Sequence, residues 1–178
     1  MKIDEFVKKV LEGEKDFSNL EMIYYNLSEH EAFPEVNHAL GKGSGTYQYE
    51  PVSFKNSHLY RLRAPGIKLI KANLEKAHFC DVILLDADLN GANLIKSDLS
   101  KSKFQRAHFN EAVLREANVS GAYFWEANMS KADLRNVYGL ESAGGLHSVN
   151  FYRTKVSSIP YAIIQERLKD RVFLEKQE

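Results

Sequence analysis

The chain has 178 residues and a formal net charge of zero, with 24 Lys plus Arg against 24 Asp plus Glu. That length fits one domain, and the balanced charge excludes a strongly basic nucleic-acid binder. Cys80 is the only cysteine, so no intrachain disulfide forms and a reducing compartment is compatible. No stretch approaches the roughly 20 apolar residues of a membrane span, and Lys8 and Lys9 interrupt the N-terminus too early for a signal peptide. These features lead to the expectation of a soluble cytoplasmic protein.

Residues 1–13 predict an N-terminal helix, because Ile3, Phe6, Val7, Val10 and Leu11 recur at helical spacing and Gly13 is a stop. In residues 14–28, Phe17, Met22 and Leu27 stand five apart, with Leu20 and Tyr25 two before a centre. Residues 29–48 read as an inserted loop, since they hold Pro34 and the run Gly41-Lys42-Gly43-Ser44-Gly45. That run lacks phosphate-loop spacing, so it reads as a loop tip.

The longest regularity follows. Every fifth residue from Phe54 to Leu134 is apolar, through Leu59, Ala64, Leu69, Leu74, Phe79, Leu84, Leu89, Leu94, Leu99, Phe104, Phe109, Leu114, Val119, Phe124 and Met129. A period of five suits neither an α-helix nor a flat strand. Unbroken self-similarity at a short period marks a solenoid. The position two before each centre is Ala or Ser in thirteen of seventeen units, so each unit offers one large and one small residue to the same side. Ala64 is the small exception among the centres, and Leu62 beside it trades places with it. The residue just before the centre is often Asn or Asp, as at Asn73, Asp88, Asn93, Asp98, Asn118, Asn128 and Asp133, residues that hydrogen-bond nearby backbone in turns. Past Leu134 a two-residue slip near Gly139 leads to Leu146, Phe151 and Val156, an irregular last coil over 137–158. Residues 159–178 predict a C-terminal helix, with Tyr161, Ile164, Leu168 and Val172 on one stripe after Pro160.

The units ANLEK, ADLNG, ANLIK, SDLSK and ADLRN resemble the pentapeptide-repeat family over at least residues 52–136. The resemblance implies an all-β solenoid, a right-handed quadrilateral β-helix in which four units make one 20-residue coil. On that plan the regular β-helix covers 49–136, and short α-helical caps close the two open ends. The C-terminal stripe fits either a cap or a homodimer interface, since some family members dimerise there.

With column neighbours 20 residues apart, one face is centred on Ala64, Leu84, Phe104 and Phe124. It turns Ile83, Leu85, Lys103, Arg106, Tyr123 and Trp125 outward. Exposed aromatics beside Arg suit protein binding, unless the 29–48 insertion covers them. His58 and His78 share another outward column, followed by Cys80 and Asp81, but no CxxC or HxxxH spacing supports a metal site. No nucleophile is linked to a base, and a tube packed with Leu and Phe leaves no substrate-sized cleft. The expectation is a protein without catalytic residues, metal or cofactor that binds an unidentified protein partner. Some family members mimic duplex DNA and bind gyrase, but their rods are strongly acidic. Here residues 52–136 carry thirteen bases and nine acids, a net +4, which disfavours that alternative. A nucleic-acid partner is disfavoured too, because Lys68, Lys71, Lys96, Lys101, Lys103 and Arg106 scatter over several faces among acids.

Overall fold

The computed structural model describes residues 1–41 and 51–168, and the backbone of Glu175 and Lys176. Its organising element is a parallel ladder between residues 20 apart, as in Asn73↔Asn93, His78↔Asp98, Ile83↔Lys103 and Asp88↔His108. Within one unit every backbone donor has a defined partner. Leu74 donates to the Asn93 carbonyl at 2.7 Å, Lys76 to Ile95 at 2.9 Å, and Asn93 donates back to Ala72 at 2.9 Å. Ala77 closes the corner by donating to the Leu74 carbonyl at 3.1 Å. The fifth donor, the N–H of Glu75, goes to Asn73 Oδ1 at 3.2 Å. The same bond recurs from Ile95 to Asn93, Ser100 to Asp98, Ser120 to Asn118 and Arg135 to Asp133. This accounts for the Asn and Asp before the centres: their side chains satisfy the N–H that the ladder leaves over. Four such units complete each 20-residue coil, and the result is a repeat β-helix.

Each corner carries a left-handed residue two places after its centre. From Asn56 to Asn136 the non-glycine residues there have φ between 53° and 60°, and Gly66, Gly91 and Gly121 occupy the same position at 64° to 69°. Left-handed backbone costs an L-residue roughly 1–2 kcal/mol. The ladder and the packed interior offset that cost at every corner. Leu74, Leu84, Leu94, Phe104, Phe109 and Phe124 are all within 1% of full burial, as are Ala72, Ala77, Ala87 and Ala92 beside them. Leu62 and Ala64, the exchanged pair, are both buried. Phe104 stacks on Phe124 one coil away, with ring centroids 5.5 Å apart.

The first coil is paired out of the regular register. Asp16 faces Ser53, β1 (Glu21–Ile23) pairs in parallel with β2 (His58–Tyr60), and Asn26 faces Arg63, an offset of 37 instead of 20. The insertion inside this coil is not the loop that its composition predicts: it carries a helix, α2, at Phe33–Gly41. Pro34 falls in the first turn of α2, where a missing N–H costs nothing. Val36 and Leu40 of α2 are buried. Its Asn37 side chain stands in for a neighbouring strand, accepting from the Lys68 N–H at 2.7 Å and donating to the Gly66 carbonyl at 2.8 Å. The remainder of the glycine run after Gly41 lies outside the described residues.

At the N-terminus α1 (Ile3–Leu11) buries Phe6, Val7 and Val10. Phe6 packs edge-on against Phe17 at 4.9 Å and lies 6.1 Å from Phe54. At the other end the expected two-residue slip is divided in two. The ladder offset grows from 20 at Asn118↔Tyr138 to 21 at Tyr123↔Gly144 and 22 at Asn128↔Asn150. Each step is a 3-10 turn, Leu140–Ser142 and Leu146–Ser148, entered through a left-handed glycine, Gly139 or Gly145. A side chain at Gly139 would run into the Ser120 backbone. After β3 (Lys155–Val156), α3 spans Ser158–Leu168, with Ile164 fully buried, Tyr161 half-buried and Arg167 donating to the Glu141 carbonyl at 2.8 Å. The predicted helical stripe does not continue to the end of the chain: Glu175–Lys176 form β4, which pairs in parallel with β3. Val172 lies outside the described residues.

Candidate protein-interaction face

The ladder places Arg63, Ile83, Lys103, Tyr123 and Gly144 in one column. The next outward residues in the same units are Pro65, Leu85, Gln105 and Trp125, followed at the corner by Gly66, Asp86, Arg106 and Glu126. Tyr123 and Trp125 are 42% and 38% exposed, while Ile83 and Leu85 are half-buried between them and the first coils. The six residues singled out from sequence therefore share one side of the tube.

Their chemistry is not uniform. Arg106 is tied to the previous coil, its Nε and Nη2 each donating to Asp86 at 2.7 Å. These bonds hold the Asp86 carboxyl below its ordinary range and the guanidinium above its own. Arg106 is thus largely neutralised within the rod, whereas Lys103 makes no ion pair among the described residues.

A second group, outside the six, stands at the first coil. Tyr24 is 68% exposed at the left-handed corner of the first coil, and the Arg61 guanidinium lies over its ring at 4.8 Å. Arg61 also bonds Asp81 at 2.9 Å. Arg63, beside it, has no ion pair among the described residues. Tyr24, Arg61, Arg63, Asp81 and Ile83 border a recess of about 300 Å³. Further along the same corner, Lys101, Lys103, Gln105 and Tyr123 border another of about 480 Å³. The signal for Tyr24 was present in the Met22 register, which puts residue 24 in the corner column of Arg61.

His58 and His78 do stack, with ring centroids 4.6 Å apart. Cys80 turns elsewhere: its Sγ donates to Asp98 at 2.9 Å, while Asp81 is taken by Arg61. Burial, together with the Asp98 bond, pushes the Cys80 thiol up to about 11. Among the described residues, no group of three or more His, Cys, Asp or Glu is placed to hold a metal ion. No helix among them is long and apolar enough to cross a membrane.

The family model for pentapeptide repeats matches in eight copies, over residues 66–100 and 107–138. Among solved structures, the chain is similar to a pentapeptide repeat protein from the Arabidopsis thaliana thylakoid lumen, at 18% identity and TM-score 0.43, covering 64% of this chain and 63% of that one. The chain thus spans a little under two thirds of that protein's length. It is also similar to QnrB1, a plasmid-mediated fluoroquinolone resistance protein, at 16% identity and TM-score 0.31, covering 89% and 84%. HetL, involved in heterocyst differentiation regulation in the cyanobacterium Nostoc sp. strain PCC 7120, is similar at 18% identity and TM-score 0.24, covering 86% and 92%. The comparison with curated proteins returns no match. The family model thus identifies residues 66–100 and 107–138 of this chain as pentapeptide repeats, the five-residue units that the ladder stacks at a 20-residue offset.

Proposed function

We propose that the protein is a non-catalytic, protein-binding scaffold: a right-handed, four-sided rod, closed by α1 and α3, that presents its partner with Tyr123, Trp125, Lys103 and the half-buried Ile83 and Leu85. The observation that carries this reading is the exposure of two neighbouring aromatics on a rigid ladder. Their side chains are positioned by backbone bonds made before binding, so little entropy is lost when a partner docks, and aromatic anchors dominate such interfaces. A DNA-mimicking rod would need a continuous acidic track, and the side of the tube that carries these aromatics interrupts Asp81, Asp86 and Glu126 with Arg63, Lys101 and Lys103.

The test is a quantitative pull-down from the native lysate with Tyr123→Ala/Trp125→Ala against wild type. Both aromatics lie outside the core, so circular dichroism should stay unchanged while partner recovery falls. Undiminished recovery would rule this face out.

A further inference from the structure

We infer that the partner of this face presents an extended acidic segment, which lies along the corner from Arg63 to Tyr123. The inference rests on the protein-binding reading above and names the chemistry of its ligand. It starts from a difference among the surface cations. At several places along the tube, opposite charges meet at a separation of 20 residues and neutralise each other: Lys55–Glu75 at 3.1 Å, Arg61–Asp81 at 2.9 Å, Arg106–Asp86 at 2.7 Å, Lys96–Glu116 at 3.5 Å and Lys131–Glu111 at 3.1 Å. Arg63, Lys101 and Lys103 have no ion pair among the described residues. The coil neighbours of Lys103 are Ile83 and Tyr123, and Asp81, the acid below Lys101, is already bound to Arg61.

These three cations line two recesses on one edge, with Ile83 between them and exposed tyrosines at both ends, Tyr24 and Tyr123. The strip therefore offers positive charge, an aliphatic contact and aromatic lips, which complement a segment of carboxylates around an apolar residue. From Arg63 to Tyr123 is three coil spacings, about 14 Å at 4.7–4.9 Å each, the span of four or five extended residues.

A second observation favours a peptide over a nucleic acid. Among the described residues, Gln105 Oε1 is the one buried side-chain oxygen or nitrogen with no hydrogen-bond partner. The residue Gln105 lines the recess that holds Lys101 and Lys103, and a donor in the recess meets the oxygen once the amide turns outward. An orphaned acceptor calls for an N–H donor, which a peptide backbone supplies at every residue. In a nucleic acid the phosphates that would meet the lysines carry no N–H, and donors occur only on the bases, away from the backbone.

The experiment selects from a phage library of random peptides, about ten residues long to overhang the strip, on the wild-type protein. The enriched peptides are then synthesised with a fluorescent label and titrated by anisotropy. Enrichment of Asp- and Glu-rich sequences is expected. Arg63→Gln/Lys101→Gln/Lys103→Gln should weaken their binding on the order of tenfold, the effect of three exposed charge contacts. The charge-matched Lys76→Gln/Lys96→Gln/Lys131→Gln should change it less than about twofold. Gln105→Met, which removes the acceptor and keeps the size, should also weaken binding. Glutamates already occupy left-handed corners at 111, 116 and 126, so a polar side chain at Lys101 fits the fold. Several results would overturn the inference: no enrichment, peptides that are not acidic, equal effects of the two triple variants, or displacement of the peptide by oligothymidylate. If neutral peptides are selected that Tyr123→Ala/Trp125→Ala abolishes, the scaffold reading stands and the acidic partner falls.

Discussion

Replacing Leu94 by Ala tests the inward phase of the repeat at its centre. Leu94 is 1% exposed, with Ala92 in its own unit and Ser97 in the next, both also buried, as its small neighbours. The substitution removes three carbons. At about 0.8 kcal/mol per buried methylene that is roughly 2.4 kcal/mol of transfer free energy. A cavity contribution adds to it, because the walls cannot close in. The Leu94 N–H is held by the Val113 carbonyl at 2.8 Å, and the Asn93 N–H by Ala72 at 2.9 Å, so the backbone on both sides is fixed by the ladder. A poorly collapsing site lies in the upper part of the range for Leu→Ala, giving a total of about 3–4 kcal/mol. Urea unfolding followed by far-UV circular dichroism measures it as a fall in midpoint at constant slope. Lys96→Ala, two residues on and facing solvent, should cost no more than about 0.5 kcal/mol. Equal losses at the two positions would refute the assignment of inside and outside. A lowered slope for Leu94→Ala would instead mean that the coils on either side unfold separately, as a quasi-one-dimensional array allows.

Other features lead to further expectations. Burial raises the Asp133 carboxyl, but its bonds with Arg135 and the nearby Arg115 outweigh that and hold it below 3.8. Its contribution to stability is therefore complete above the ordinary 3.8 of the unfolded chain and is lost as pH falls from there through the lower native value, so Asp133→Asn should lower stability at neutral pH and flatten the acid limb of a stability–pH curve. Glu126→Val places a β-branched residue at φ 56° and should cost about 1 kcal/mol or more although the position is exposed. Glu126→Gly should be close to neutral, since relief at the corner is offset by a freer unfolded chain; a thermal melt of both variants checks the left-handed corners. With its thiol pushed up to about 11 from an ordinary 9.0, Cys80 should form on the order of 100-fold less thiolate at neutral pH in the native protein than in urea. Iodoacetamide labelling that is equally fast in both states would contradict the Cys80–Asp98 contact.

The repeat was legible in the sequence because its signal is redundant. The same large–small phase is written once per unit from Phe54 to Leu134, and a single deviation such as Ala64 cannot obscure it. What was not legible depends on single contacts. α2 was hidden because Pro34 and the glycines that follow it suggest a loop, whereas Pro is tolerated in a first helical turn and Asn37 supplies the strand-like bonds that dock the helix. The two one-residue steps at Gly139 and Gly145 looked like one slip, because only their sum shows in the spacing of large residues. The candidate face was half legible. Periodicity showed which residues point outward, but whether a cation is free depends on the residue one coil away. Arg106 points outward by its phase, but its pairing with Asp86 takes it out of the set of free cations.

Once the 20-residue period is known, that pairing becomes readable, and it separates two uses of surface charge. A charge with its opposite 20 positions away contributes to the ladder and offers a partner little: Arg106 has Asp86, Lys96 has Glu116, and Lys131 has Glu111. Exposed pairs of this kind are each worth a fraction of a kcal/mol, yet they remove the long-range field of the side chain that would steer a ligand. A charge without such a neighbour keeps its field and gains nothing from the fold. Lys103, between Ile83 and Tyr123, is of this second kind, and so is Arg63 above Ile83. Neighbouring coils are only about 4.8 Å apart, so arginine or lysine side chains have ample reach to find an acid in an adjacent coil. Their lack of one at this corner, next to the exposed aromatics, is therefore a property of the sequence at positions 83 and 123 rather than of geometry. Ile83→Asp tests that distinction directly. It would give Arg63 and Lys103 an acid one coil away, and it should weaken capture of an acidic peptide on the order of the triple neutralisation while leaving the fold intact. Unchanged capture would mean that the free cations do not act in binding.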